Sequence, residues 1–191
     1  MRYSKDHKAE TNQQILQEAS RRFRRDGITA TGLQPLMKAL GLTHGGFYAH
    51  FKSKDDLVEQ ALQNAAQQSS DYWRKLHDQE GGAARLVDSY LSIRHRDTPE
   101  KGCALPTMSM EMGQLGKASA TTDKIVERLL SLLHSDHADA PHAAVMLSAM
   151  VGALSLSRSV TDPELSEQLL EQTREWIKEE LKDERENNLA V

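Results

Sequence analysis

The sequence predicts an all-α protein of about nine helices, with an N-terminal three-helix domain followed by a larger helical one. Three observations carry this. Apolar residues recur at spacings of three and four in one segment after another, the period of a helix with one buried face. Glycines stand where such segments stop, at Gly27, Gly41 and the pair Gly81 and Gly82, and glycine readily supplies the left-handed residue that closes a helix. Capping residues stand where segments start, notably Thr43 and Ser53.

Taken in order, a polar tail with Arg2, Lys5, His7 and Lys8 precedes a helix over 10–26, whose buried stripe is Ile15, Ala19 and Phe23 with Leu16 beside it. Arg21, Arg22, Arg24 and Arg25 lie on its polar face near the end, where cations suit the helix dipole. Gly32 caps the second helix, which places Pro35 in the first turn, where its missing N–H costs nothing. Leu33, Leu36, Met37 and Leu40 give that helix its apolar stripe, Gly41 closes it and Leu42 packs back on its last turn. Thr43 caps the third helix, in which Phe47 and Phe51, four apart, face inward and leave His44, Gly45 and Tyr48 outward.

A long fourth helix begins at Ser53, where the order Ser-Lys-Asp-Asp caps the start with acids in the first turn. It runs to 76 or 77 through Leu57, Ala61, Leu62, Ala65 and Trp73. Further helices are expected over 83–96 (Leu86, Val87, Tyr90, Leu91, Ile93), 105–115 and 121–134 (Ile125, Leu129, Leu132, Leu133). The stretch HSDHADAPH holds His134, His137 and His142, but their spacing does not fall on one helix face and Pro141 interrupts it; it is read as a polar loop, not a metal site. Helices over 141–160 and 163–182 come last, and EELKDERENNLAV is read as a solvated, fraying tail.

The 191 residues suffice for one large domain or two small ones, and 38% apolar residues suffice for a packed core. Residues 1–54 carry 10 Lys and Arg against 4 Asp and Glu, while residues 55–191 carry 14 against 24. Such a split suits an N-terminal module that meets phosphates and a remainder that does not. The polar N-terminus MRYSKDHKAET shows no signal peptide, and the most apolar run, 143–156, is too short and too rich in Ser to span a bilayer. A cytoplasmic protein is expected, without a membrane partner; the single cysteine, which cannot form an internal disulfide, agrees with a reducing compartment.

Two short helices joined by a tight turn over 31–54 have the form of a helix-turn-helix, in which the second helix lies in the major groove of double-stranded DNA. Gly45 and Gly46 would let the backbone approach the groove closely, so base reading would fall on Thr43, His44 and Tyr48. Lys52, Lys54 and His50 would hold phosphates, His50 being read equally as a helix-ending side chain packed on the domain. The arginines near the end of the first helix are read mainly as a solvated, dipole-compensating cluster, with one phosphate contact as the alternative; the N-terminal tail either lies along DNA or is disordered.

With THGGFYAHFKSKDDL following ALGL, residues 9–60 resemble the DNA-binding module of the TetR family of one-component transcriptional regulators. In that family an aromatic-Tyr-x-His-Phe run closes the recognition helix and a Lys opens the next, places that Phe47, Tyr48, His50, Phe51 and Lys54 occupy here. The resemblance implies a DNA-binding domain at 1–54, an effector-binding and dimerisation domain at 55–191, and a long helix after Ser53 that couples them. It also makes Thr31 a backbone-phosphate contact, against a capping or turn role.

In the C-terminal part, the helix over 141–160 mixes small residues with Met146, Leu147, Met150 and Leu154 and is apolar on nearly every side, so it needs covering all round. A second subunit meets that need, with Met146, Ala149, Gly152, Ala153, Leu169 and Trp176 at the interface; a core helix within one chain is the other reading. Cys103 follows Gly102 at the start of a helix, where the dipole and Lys101 favour a thiolate. By resemblance it would sense electrophiles or oxidants; as a packing residue it would lie with Met108, Met112, Tyr90 and Trp73 at an effector pocket. No cofactor is expected, and no catalytic spacing stands in a suitable context. The sequence thus reads as a homodimeric repressor released from a palindromic operator by a small-molecule or electrophile effector. The alternatives are an activator or architectural DNA binder, and a helical enzyme or ligand-binding protein whose N-terminal helices are only structural.

Overall fold

A computed structural model of the chain describes residues 5–134 and 142–189. The nine α-helices among them are α1 (Lys5–Asp26), α2 (Leu33–Ala39), α3 (Lys54–His77), α4 (Gly82–Tyr90), α5 (Ile93–Asp97), α6 (Met110–Gln114), α7 (Ala120–Leu133), α8 (Ala143–Ser159) and α9 (Pro163–Leu189). Two 3-10 helices, His44–Ala49 and Pro99–Lys101, and a π turn, Leu105–Ser109, accompany them, and no strand occurs among the described residues. The expected polar loop falls largely on 135–141, outside the described residues.

The chain divides into two compact units, Met1–Gln68 with Pro99–Thr122, and Ser69–Thr98 with Asp123–Val191. The first unit is therefore larger than the stretch 1–54, because a distant segment is built into it. Its core holds Ile15, Ala19, Phe23, Leu36, Met37, Phe47, Leu57 and Leu62, all fully buried. Gly27 closes α1 at φ +91, and its N–H bonds to the Phe23 carbonyl at 3.2 Å. The end of α2 is a two-bond Schellman closure: Leu42 N–H to Met37 O at 2.9 Å and Gly41 N–H to Lys38 O at 3.0 Å, with Gly41 at φ +70. The start of α3 is capped reciprocally, Ser53 Oγ accepting from Asp56 N–H at 3.1 Å while the Asp56 carboxylate accepts from Lys52 N–H at 2.8 Å.

Four expectations change. Arg24 is not on a solvated face: it is buried, donating to the carbonyls of Ser20 (3.1 Å) and Gly102 (3.0 Å) and to Gln68 Oε1 (3.1 Å). Burial pushes its guanidinium down to about 10, which still leaves it charged at neutral pH. The single helix expected over 83–96 is two, because Ser92 takes an extended conformation and its Oγ accepts from His95 N–H at 3.1 Å, starting a new helix. The helix expected over 105–115 opens as a π turn, with Ser109 N–H on Ala104 O at 3.2 Å before regular α6 begins. At the two ends, α1 begins at Lys5 and not at 10, and α9 continues through Leu189, so the C-terminal stretch read as a fraying tail is helical.

In the second unit α8 and α9 pack together and α4 packs on α9. Lys178 Nζ meets the Asp88 carboxylate at 2.8 Å, and Arg158 donates to the carbonyls of His95 (2.6 Å) and Arg96 (3.0 Å), closing the end of α5.

Candidate nucleic-acid interface

The 3-10 helix His44–Ala49 lies at the surface of the first unit. Thr43 stands before it in extended conformation and its Oγ1 accepts from Gly46 N–H at 3.2 Å, as a capping threonine should. Phe47 and Phe51 stack at 5.5 Å and are buried, which anchors the helix from beneath. Thr43, His44, Gly45, Tyr48 and Lys52 are exposed as a consequence, and Gly46 and Lys54 are half-exposed. Tyr48 is 62% exposed, braced edge-on between His44 (6.0 Å) and Phe47 (5.1 Å). Gly45 and Gly46 stand within this short 3-10 helix, where each is less favourable than alanine by about 0.5–1 kcal/mol.

Gly45 is not demanded by the chain itself. A Cβ built there would meet nothing within 4 Å, and the backbone does not adopt a left-handed φ. A bare backbone facing solvent between Thr43, His44 and Tyr48 is a surface that admits close approach by a partner.

Two of the expected contacts turn inward. Thr31 is buried and its hydroxyl donates to Gly27 O at 2.7 Å, so its geometry serves the α1–α2 turn and not a phosphate. His50 ends the 3-10 helix, its N–H on Phe47 O at 2.9 Å, and is half-buried beside Phe51. Burial, with the Lys8 charge, pushes its imidazole down, so at neutral pH His50 offers a hydrogen bond and no positive charge. On α1, Arg21 and Arg22 pair with Glu18, and Arg25 pairs with Asp26.

The second unit holds Trp73 and Tyr90, two of the residues expected at an effector pocket. Trp73, Tyr90 and His95 form a buried aromatic cluster with centroids 4.8–5.6 Å apart. His95 Nδ1 donates to Tyr90 O at 2.8 Å, and burial pushes the ring down to about 4, so it is neutral at pH 7. Cys103, Met108 and Met112 are buried and belong to the first unit. A shallow groove of about 330 Å³ lies between Arg96, Asp97, Arg158 and Thr161, with Arg96 committed to Asp97 and Ser166 and Arg158 to backbone carbonyls. Among the described residues no group of His, Cys, Asp and Glu could hold a metal, and no helix is long and apolar enough to cross a membrane.

On α8 and α9 the apolar residues divide between two faces. Met146 and Ala153, expected at a subunit interface, are buried within their own chain beside Met150 and Leu154, and this corrects their assignment. Val145, Ala149, Gly152 and Leu156 form a separate accessible stripe at i, i+4, i+7 and i+11, and Leu165, Leu169 and Trp176 form another on α9. Sequence reasoning also missed Glu111, whose carboxylate accepts from the N–H groups of Ile28 and Thr29, and Glu59, which accepts from Ser119 and Thr121. No local motif marks either residue.

Comparison with known proteins agrees with this geometry. Residues 15–61 match the model for bacterial regulatory proteins of the tetR family. The chain is 42% identical over 59 residues to the HTH-type transcriptional regulator AcrR of Shigella flexneri, covering 31% of this chain and 27% of that one. It is 32% identical over 80 residues to the HTH-type transcriptional regulator TtgR of Pseudomonas putida, covering 42% and 38%. These matches thus span about a quarter to two-fifths of those relatives' length. The fold extends further. A TetR transcriptional regulator from Legionella pneumophila superposes with a TM-score of 0.72 at 18% identity, covering 94% of this chain and 98% of that one. The reduced form of E. coli NemR does so with 0.67 at 20% identity, covering 89% and 96%. The N-terminal module, residues 15–61, is thus similar to that of tetR-family bacterial regulatory proteins and of the curated regulators, and the fold of TetR transcriptional regulators extends over nine-tenths of the chain.

Proposed function

We propose that the protein is a cytoplasmic, homodimeric transcriptional regulator that binds a palindromic DNA operator through the helix His44–Ala49 and represses transcription until an effector releases it. The observation that carries this reading is the anchored recognition helix, which leaves an unobstructed Gly45 between exposed Thr43, His44 and Tyr48. Thr43, His44 and Tyr48 read base edges, Gly45 and Gly46 allow the approach, and Lys52 and Lys54 hold phosphates. The curated relatives, named as HTH-type transcriptional regulators, support the same activity. The functional division is a DNA-binding part at 1–54 and an effector-binding and dimerising part at 55–191. The accessible stripes of α8 and α9 support pairing of two subunits, with Ala149, Gly152, Leu169 and Trp176 at the interface. The effector site is placed in this second part, with Trp73 and Tyr90, whose rings pack 5.4 Å apart in its buried interior, as the residues expected to respond to it.

Selection from random double-stranded DNA tests the reading. Half-sites separated by about one helical turn, roughly 34–36 Å or somewhat beyond, should be recovered, with affinity that falls steeply as salt rises. Recovery of no palindrome, or binding indifferent to salt, refutes it. Reporter output from the recovered operator, with the protein present and absent, separates repression from activation.

A further inference from the structure

The turn that joins α1 to α2 is held from far along the chain. Ile28 N–H donates to Glu111 Oε2 at 2.6 Å and Thr29 N–H to Glu111 Oε1 at 2.7 Å, across separations of 83 and 82 residues. Gly27 fits closely beneath them, since a Cβ there would stand 3.0 Å from Glu111 Oε2. Burial opposes ionisation of this carboxyl, yet hydrogen bonds from the Thr29 side chain and from both N–H groups, with the Lys54 charge, hold it below the usual glutamate range. The segment that carries Glu111 is itself fixed on both sides: Gly102 O accepts from buried Arg24, Lys117 meets Asp55 at 2.7 Å, and Thr121 donates to Glu59 at 2.6 Å. At the start of α2, Gly32 provides no side-chain cap, and the local bonds are Thr31 Oγ1 to Gly27 O at 2.7 Å and Leu36 N–H to Gly32 O at 3.2 Å.

We propose that Glu111 is a positioning residue for DNA reading: its carboxylate clamps the Ile28 and Thr29 N–H groups and so fixes where α2 begins. Because α2 packs against the recognition helix, the angle at which His44 and Tyr48 are presented follows from that clamp. The role rests on the DNA-binding reading above. A glutamine at 111 keeps the size but has only one oxygen, so it sets an NH₂ donor against one of the two N–H donors. An aspartate keeps the charge and shortens the reach.

The test combines binding with a direct readout of the clamp. Glu111→Gln should retain its helical circular dichroism and its dimer while losing tenfold or more in operator affinity, uniformly over related sequences, with Glu111→Asp in between. In wild-type protein the amide signals of Ile28 and Thr29 should shift together on acidification, with one midpoint below the ordinary glutamate value, and this shared titration should vanish in Glu111→Gln. The titration needs only the wild type, so it decides the clamp even if a variant fails to fold. If wild-type protein binds operator but Glu111→Gln binds as tightly, or if the two amides do not titrate together, the inference is overturned. A wild-type protein that binds no operator overturns the DNA-binding reading instead, whatever the amides do.

Discussion

Replacing Gly45 by alanine should make this protein more stable and a poorer binder of DNA. The two effects have separate origins. Within the chain an added Cβ meets nothing within 4 Å and the backbone is compatible with an L-residue, so the substitution brings no clash. What remains is the backbone entropy that glycine loses on folding, which makes alanine more favourable by about 0.5–1 kcal/mol. For a chain of this length that corresponds to a rise of about 1–4 °C in melting temperature. Against DNA the same methyl occupies the surface where the backbone is taken to approach the groove, and overfilling a close-packed contact costs about 1–3 kcal/mol. With two half-sites per dimer, and 1.4 kcal/mol corresponding to tenfold, the loss in operator affinity should be at least tenfold. Thermal melting and fluorescence anisotropy on a selected operator measure both. A variant that melts higher and binds undiminished would show that Gly45 does not face the groove. A variant that melts lower would show that the packing argument itself is wrong.

Other outcomes follow from the same geometry. Lys54→Ala should weaken binding on every sequence and lower the salt slope by about 2 for a dimer, whereas His44→Ala should change which sequence is preferred; equal effects across a panel of operators would contradict the division of roles. Gly152→Arg places a long cation where the chain leaves open space, so the variant should fold yet sediment as a monomer and lose operator binding; a dimer of unchanged affinity would move the interface elsewhere. His95, held at about 4 by burial, binds fewer protons folded than unfolded between that value and its ordinary one near 6.5. Stability should therefore be complete above about pH 6.5 and fall on acidification, by about 2 kcal/mol at pH 5, with denaturant curves of His95→Gln lacking that component. Cys103 is buried, so a quinone or aldehyde should leave wild type and Cys103→Ser equally bound to operator; selective release of the wild type would establish the sensing role.

The parts legible in the sequence were those that local chemistry dictates. Thr43, Ser53, Gly27 and Gly41 cap and close helices through atoms within a few residues, so their roles could be read from the string of letters. Arg24 could not. It stands one position beyond Phe23, at the margin of the apolar stripe, where a long cation ordinarily reaches water. What draws it inside is the Gly102 carbonyl, 78 residues away, and no periodicity announces a partner at that distance. Glu111 is hidden in the same way, because its two N–H donors are free only by virtue of the turn that follows Gly27.

The two stripes of α9 show why an accessible apolar face is harder to read than a core. Leu170, Ile177 and Leu181 are buried, while Leu165, Leu169 and Trp176 remain accessible. Leu169 and Leu170 are neighbours, as are Trp176 and Ile177, so the two faces differ by one residue, about 100° of rotation. A pattern of threes and fours merges them into one broad stripe. The same merging placed Met146 and Ala153 with Ala149 and Gly152 on α8, although the first pair faces the chain's own core and the second does not. A helix apolar over two adjacent faces needs two partners, and each helix is the inner partner of the other. The outer faces together present Val145, Leu156, Leu165 and Trp176, large apolar groups each between 42% and 55% exposed, around the smaller Ala149 and Gly152. Under the proposed pairing, a second copy of the same two helices would cover these stripes, and the charge at Gly152 is the sharper probe of that assembly: it tests the outer face while leaving the inner one intact.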